Sequence, residues 1–293
     1  MRKCCHRIYR PMALLFFVLG IFLVVCFLPE PARAVESNAE ESARELAMSA
    51  YYQIDGNRFD RAQLADAYAK LDRAARLNPD EPYLFLSGSL ASLLQGFRMG
   101  DWYELSSFEV GTVERALPLA EKAVQIAPGL GQAHAQLARI HILRKDFLKA
   151  EGSIAKAKAL DPGSFYPWYF EGIYYEKLGN VDAAMASLDQ AAQRATKEHQ
   201  RSSVNRHRSR VAKISHDPAL QERYLLEVIA SSPKDGHTYS EYAAFLMCKG
   251  RYEEAVVQWE KVLRLIPAWS YAQVQLANAR RMVAIEREKR TSC

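Results

Sequence analysis

Residues 165–195 read FYPWYFEGIYYEKLGNVDAAMASLDQAAQRA. Seven aromatic side chains fall in the first eleven positions, so the stretch is either a pocket that grips a ligand or the packing face of one helix. Its spacing has counterparts elsewhere in the chain. A large residue stands at the fourth place, Trp168, and a small one at the eighth, Gly172. A short polar turn, LGNV, follows; Ala184 takes the twentieth place and Leu188 comes four later. Residues 131–162 repeat the order with His134, Ala138, RKDF, Ala150 and Ile154, and residues 236–267 with Tyr239, Ala243, KGRY, Ala255 and Trp259. Prolines punctuate the series at 79, 128, 162, 233 and 267, at intervals of 49, 34, 71 and 34 residues. A fixed period of this size marks a helical array.

The residue types follow from packing. Small side chains at places eight and twenty let the two helices of a hairpin approach closely. Bulky ones at places four, eleven and twenty-four fill the space between hairpins, because one hairpin cannot bury its own apolar face. Proline after the second helix cannot continue it. The pattern resembles the tetratricopeptide repeat, a helix–turn–helix unit, and the resemblance covers roughly residues 40–285. It implies an all-α fold, a right-handed α-solenoid of about six hairpins closed by a C-terminal capping helix. It also implies that places two, five and nine of each first helix face a concave groove.

Less regular segments fill in the array. QLADAYAKLDRAARLNP forms a second helix before Pro79, with residues 40–54 as its partner. The next hairpin starts near Pro82 and returns as TVERALPLAEKAVQIAP, with some fifteen extra residues between, centred on an insertion at 96–111. Residues 199–232 supply a unit with Gln221 at place twenty in place of a small residue. After Pro267 a final helix, apolar early and charged later, suits a solubilising cap. The expected organisation is a leader at 1–34, the solenoid at 38–285 and a frayed tail at 286–293.

The leader begins MRKCCHRIYR, runs through seventeen uncharged residues from Met12 to Leu28, and ends in Pro29, Pro31 and Ala32-Arg33-Ala34. A basic head, apolar run, helix breaker and small-x-small site make a secretory signal peptide cleaved after Ala34. The run is long for a signal and short for a spanning helix, so an uncleaved membrane anchor at 12–28 remains the alternative. Either way the remainder faces out of the cytoplasm, the periplasm in a bacterium. Cys26 lacks the small preceding residue that a lipidated cysteine needs. Beyond the leader only Cys248 and Cys293 remain, too few for a disulfide framework or a metal site. The net charge of +5 falls to about +1 without the leader, which argues against nucleic acid as partner.

Candidate sites are few. Trp168, Gly172 and Tyr175 occupy packing places, which leaves Tyr166 and Tyr169, at places two and five, and Lys177 as groove candidates. Residues 194–213 carry seven Lys/Arg and one acid, and Arg206, Arg210 and Lys213 share one helical face. In the repeat register these three take places five, nine and twelve, on the groove. Val204, Val211 and Ile214 form a core face only if the register slips by one, which would turn the arginines outward. Trp102 and Tyr103 in the insertion, with Arg98 and Asp101 just before them, belong either to a decorative loop or to an aromatic anchor for a partner. His134 and His141 lie seven apart on one face but occupy packing places, and no carboxylate or thiol three or four residues on joins them to complete a metal site. No phosphate loop, nucleophile elbow or paired carboxylates stand out, so the chain is expected to be non-catalytic, with no cofactor and no metal.

The expected function is an exported scaffold that holds a peptide or protein in its concave groove during cell-envelope assembly or maintenance. The competing expectation is a binder of an anionic envelope polymer or lipid headgroup through the basic helix at 201–213. A third is an accessory subunit of an enzyme complex.

Overall fold

A computed structural model describes residues 30–56, 61–98 and 104–291. The apolar run 12–28 and the Trp102–Tyr103 pair lie outside the described residues. Among the described residues the chain forms thirteen α-helices, and its only extended pairing is a single bridge between Phe97 and Phe108. None of these helices is long and apolar enough to cross a membrane.

Of the described residues, those up to Ser87 form one compact unit and those from Gly88 on a second. In the first, α1 (Glu30–Gly56) packs on α2 (Arg61–Leu77). Ala43, Ala47, Ala50 and Ile54 recur at helical spacing and are all buried, as are Ala67 and Ala74 on α2. Gln53 fastens the two helices, donating to the Gln63 carbonyl at 2.8 Å and accepting from Lys70 at 2.9 Å. The chain passes into the second unit within α3 (Pro82–Gly96).

The second unit is an α-solenoid of helical hairpins. Its helices are α4 (Thr112–Ile126), α5 (Gly131–Leu143), α6 (Phe147–Leu160), α7 (Phe165–Lys177), α8 (Val181–Arg194), α9 (Glu198–Ile214), α10 (Pro218–Ser231), α11 (Gly236–Cys248), α12 (Tyr252–Leu265) and α13 (Ser270–Thr291). The pairs α5–α6, α7–α8, α9–α10 and α11–α12 are hairpins, and α13 packs on α12. Leu93 of α3 joins Val113, Ala116 and Ala120 of α4 in one cluster with Ile140 and Leu143 of α5. Helix α13 runs on through residues 286–291.

The prolines at 128, 162, 233 and 267 do the same local work. The residue before each is driven out of the α region, as at Ala127 (φ −129°, ψ 75°), Asp161, Ser232 and Ile266, and the helix stops there. Proline then sits second in a four-residue turn. That turn closes through Leu130 N–H to Ala127 O, Ser164 to Asp161, Asp235 to Ser232 and Trp269 to Ile266, at 3.0–3.2 Å. Six residues beyond each proline, the place-four side chain donates back to its carbonyl. His134 reaches Pro128 at 2.9 Å, Trp168 reaches Pro162 at 3.1 Å, Tyr239 reaches Pro233 at 3.2 Å and Gln273 reaches Pro267 at 3.3 Å.

The turn inside each hairpin is equally regular. Lys145, Gly179, His216 and Gly250 adopt φ between 57° and 73° just past the end of the first helix. The next residue's N–H bonds five residues back (Asp146 to His141, Asn180 to Tyr175, Asp217 to Ala212, Arg251 to Leu246), the closing bond of a Schellman motif. These four positions lie 34, 37 and 34 residues apart. The three extra residues go into α9, which has 17 residues where α5, α7 and α11 have 13, while the connection before it is one residue shorter than its counterparts. No proline marks that joint. Gln200 replaces it, accepting from the Thr196 and Lys197 amides at 3.0 and 3.1 Å.

Counted from these turns, place eight holds Ala138, Gly172, Ser209 and Ala243, all buried. A methyl group on Gly172 would lie 2.7 Å from Cγ and Cδ2 of Leu188, so glycine alone fits there. The register of α9 does not slip: Val204 and Val211 are fully buried, while Ile214 is 41% exposed.

Candidate functional site

The aromatic stretch that begins α7 is largely internal. Tyr166 and Tyr169 are only 8% and 7% exposed, and Ile173 not at all. Phe165 stacks on Tyr169 at 5.0 Å, Tyr166 on Phe170 at 6.2 Å, and Tyr169 meets the His207 ring of α9 edge-on at 5.4 Å. Beside it, Nδ1 of His207 donates to Glu176 at 2.5 Å, and this pair joins α7 to α9 in the interior. Ala135 and Arg139, the places on α5 that match Tyr169 and Ile173, are buried too, while Gln132, which matches Tyr166, is half-buried. The inner places of α5 and α7 are thus largely covered within the chain itself. Trp168 is half-buried, with Lys158 3.7 Å and Arg194 4.6 Å from its ring. Lys177 is held by Glu104 of the insertion at 2.6 Å, and the insertion's base is closed by Arg98 N–H to Ser107 O at 2.9 Å and Glu109 N–H to Gly96 O at 2.7 Å.

One hairpin further on, the same face opens. A cavity of about 480 Å³ lies between α9, α10 and α11, and Arg206, Arg210 and Lys213 line it together. Their spacing of four and three residues stacks them along one stripe of α9. Lys249 and Cys248 reach it from the end of α11, and His216 from the α9–α10 turn. Buried Leu225 and Phe245 make an apolar floor. Gln221, which breaks the small-residue rule at place twenty, is also on the wall. Where the other hairpins bring two helices together over alanine, this one must fit a longer polar side chain.

The deepest cation is already engaged. Arg206 donates to Asp235 at 3.0 Å and Thr238 at 3.2 Å and lies 3.6 Å from Glu241. Burial pushes the Asp235 carboxyl up, but the Arg206 charge and the His237 amide outweigh it, so it titrates below its ordinary value. Nearby, Tyr242 donates to Glu222 at 2.8 Å, and burial followed by this bond pushes its hydroxyl up to about 12. Lys213 and Lys249 are exposed at the mouth. The site therefore offers fixed positive charge over an apolar floor, suited to an anionic group attached to something less polar. Sequence reasoning found the α9 residues from their spacing. It did not find Lys249, His216 or Glu241, which reach the cavity only through the stacking of hairpins. Gln221 was the one available signal.

Residues 166–197 match the tetratricopeptide repeat model, which places a repeat of this class on α7 and α8. No curated protein sequence matches the chain. Among solved structures the chain is similar to a chain of the APC/C hetero-tetramer Cut9–Hcn1, with TM-score 0.60 and 12% identity over 85% of this chain. It spans only 46% of that protein. PilW, a type IV pilus biogenesis factor, overlays 81% of this chain and 98% of its own with TM-score 0.57 and 16% identity. A thermophilic tetratricopeptide repeat protein of Thermus thermophilus gives TM-score 0.50 and 18% identity over 71% of this chain and 99% of its own. At such identities the likeness is one of fold.

Proposed function

We propose that this protein is an exported, non-catalytic scaffold that holds a segment of a partner protein along its inner face at α9 and α11, in the assembly or maintenance of the cell envelope. The observation that carries the reading is the cavity lined by Arg206, Arg210 and Lys213, which opens where the inner places of α5 and α7 are largely covered. Positive charge above an apolar floor suits an acidic segment with an adjacent apolar side chain. Trp102 and Tyr103 would give the partner a second anchor, and Tyr166 and Tyr169 support the face from beneath. The repeat match at 166–197 fits a protein-interaction role. The basic head, apolar run and Ala32-Arg33-Ala34 of the leader support export.

Selection from a random-peptide display library tests the reading. Acidic peptides containing an apolar residue are expected, with binding weakened by salt and lost in Lys213→Glu/Lys249→Glu. Selected peptides that bind this variant equally well would refute it. N-terminal sequencing of the protein isolated from cells tests the leader: a chain beginning at Met1 rules out cleavage and leaves the anchor at 12–28. A second reading, binding of an anionic polymer or headgroup, is favoured by the convergence of the three basic side chains of α9 on one half-open cavity.

A further inference from the structure

The cavity is specific enough in its chemistry to name a ligand group. We infer that it is a binding site for a phosphate ester, with the phosphate held between α9 and the end of α11 and the ester group on the apolar floor. The inference rests on the second reading above and narrows it.

Three features argue for phosphate. First, the donors come to the space from different elements. Arg210 and Lys213 project from α9, Lys249 faces them from α11, and His216 stands at the α9–α10 turn with φ 57°. A planar carboxylate accepts within its plane and fits a single guanidinium fork. A tetrahedral group presents three oxygens to donors converging from different walls. Second, the charge suits an anion. Four cationic side chains line the cavity; Arg206 is paired with Asp235 at 3.0 Å and lies 3.6 Å from Glu241, and Arg210, Lys213 and Lys249 supply the remaining positive charge. Third, the cavity's size of about 480 Å³ falls among pockets that hold small organic ligands and exceeds what a bare anion needs. Leu225 and Phe245 can take an apolar or sugar-like remainder, and Lys249 lies over the Phe245 ring at 5.7 Å.

Cys248, on the same wall and exposed, gives a local reporter. The experiment uses the full chain, with serine at positions 4, 5, 26 and 293 so that Cys248 is its single thiol. Titration calorimetry with 1-naphthyl phosphate is expected to show binding, and alkylation of Cys248 by iodoacetamide is expected to slow about tenfold at ligand ten times its Kd. Lys213→Ala and Lys249→Ala remove exposed side chains without touching the core, and each is expected to weaken binding roughly tenfold, the loss of one charge-assisted hydrogen bond. Two further arms separate the sources: phosphatidylcholine vesicles doped with phosphatidic acid report a lipid headgroup, and inorganic phosphate competing with 1-naphthyl phosphate reports a soluble one. Binding in either arm that Lys213→Ala weakens supports the proposal. Equal affinity for 1-naphthoate, or for poly-glutamate with no response to phosphate, overturns it while leaving the broader anion reading in place. No binding of any of these anions overturns both. Phosphate binding that neither protects Cys248 nor responds to the two variants overturns the location.

Discussion

The Glu176–His207 pair offers the sharpest test of how the hairpins are held together. Its side chains are only 6% and 3% exposed, and its 2.5 Å hydrogen bond joins α7 to α9 across the one joint that lacks a proline turn. Replacing Glu176 with alanine takes the acceptor from Nδ1 and leaves a void where the carboxylate sat. A buried donor deprived of its acceptor costs about 1–3 kcal/mol, and more where one partner is a charged group, and the void left by the side chain adds to it. The expected loss for Glu176→Ala is therefore about 3 kcal/mol, a fall of about 1 M or more in the urea midpoint. Glu176→Gln keeps the shape and an acceptor and should lose only about 1 kcal/mol. The double variant Glu176→Leu/His207→Phe replaces both partners with apolar groups and should recover most of the loss, giving a coupling of about 2 kcal/mol. Stacked hairpins need not unfold as one unit, so hydrogen exchange of the α7 and α9 amides should be read beside the urea curve. A loss below about 1 kcal/mol for Glu176→Ala, or purely additive single variants, would refute the reasoning.

Other perturbations bear on the repeat itself. Gly172→Ala is expected to destabilise by about 1–2 kcal/mol in thermal or urea unfolding, because the clash with Leu188 outweighs the helical preference for alanine; a neutral result would mean that the helices of the hairpin can shift apart. Lys145→Gly should stabilise by up to about 1 kcal/mol, since lysine there holds φ 61° on an exposed turn, and a loss of stability would count against left-handed strain. Burial holds the pKa of His141 below its usual 6.5, Asp146 opposing only in part, so the unfolded chain binds the proton more readily. Stability should accordingly fall as pH drops through about 6.5, and His141→Phe should remove that part of the slope; a variant with an unchanged pH profile would exclude His141 as its source.

Much of the array was legible because its signals are local. Proline at 128, 162, 233 and 267 acts on its own preceding residue, and a small residue at place eight acts on the helix directly after it, so both leave marks at fixed spacing. The same logic identified the packing role of Gly172 and Trp168 and kept the register of α9 correct across an interval of 71 residues between prolines. Burial of the inner places of α5 and α7 was not legible. Tyr166 and Tyr169 stand where a groove residue stands, but His207 and Phe165 cover Tyr169, and His207 belongs to a helix some forty residues away. Likewise, nothing near Lys177 in sequence announces Glu104. Pairings between hairpins are set by side-chain reach in three dimensions, and a one-dimensional period carries no trace of them.

The bond from place four to the preceding proline carbonyl has a consequence for how such chains diverge. Histidine, tryptophan, tyrosine and glutamine share little beyond a polar hydrogen at a suitable distance, yet all four make this contact. To the backbone they are synonyms; to a letter-by-letter comparison they are four mismatches. Drift among synonyms is nearly free of structural penalty, so units can lose their family likeness while keeping their geometry. That is the situation here: a repeat model matches one hairpin, residues 166–197, whereas a solved repeat structure overlays 81% of the chain at 16% identity. What the four units share at this place is a chemistry, a side-chain hydrogen within reach of the proline carbonyl, carried by four different residues.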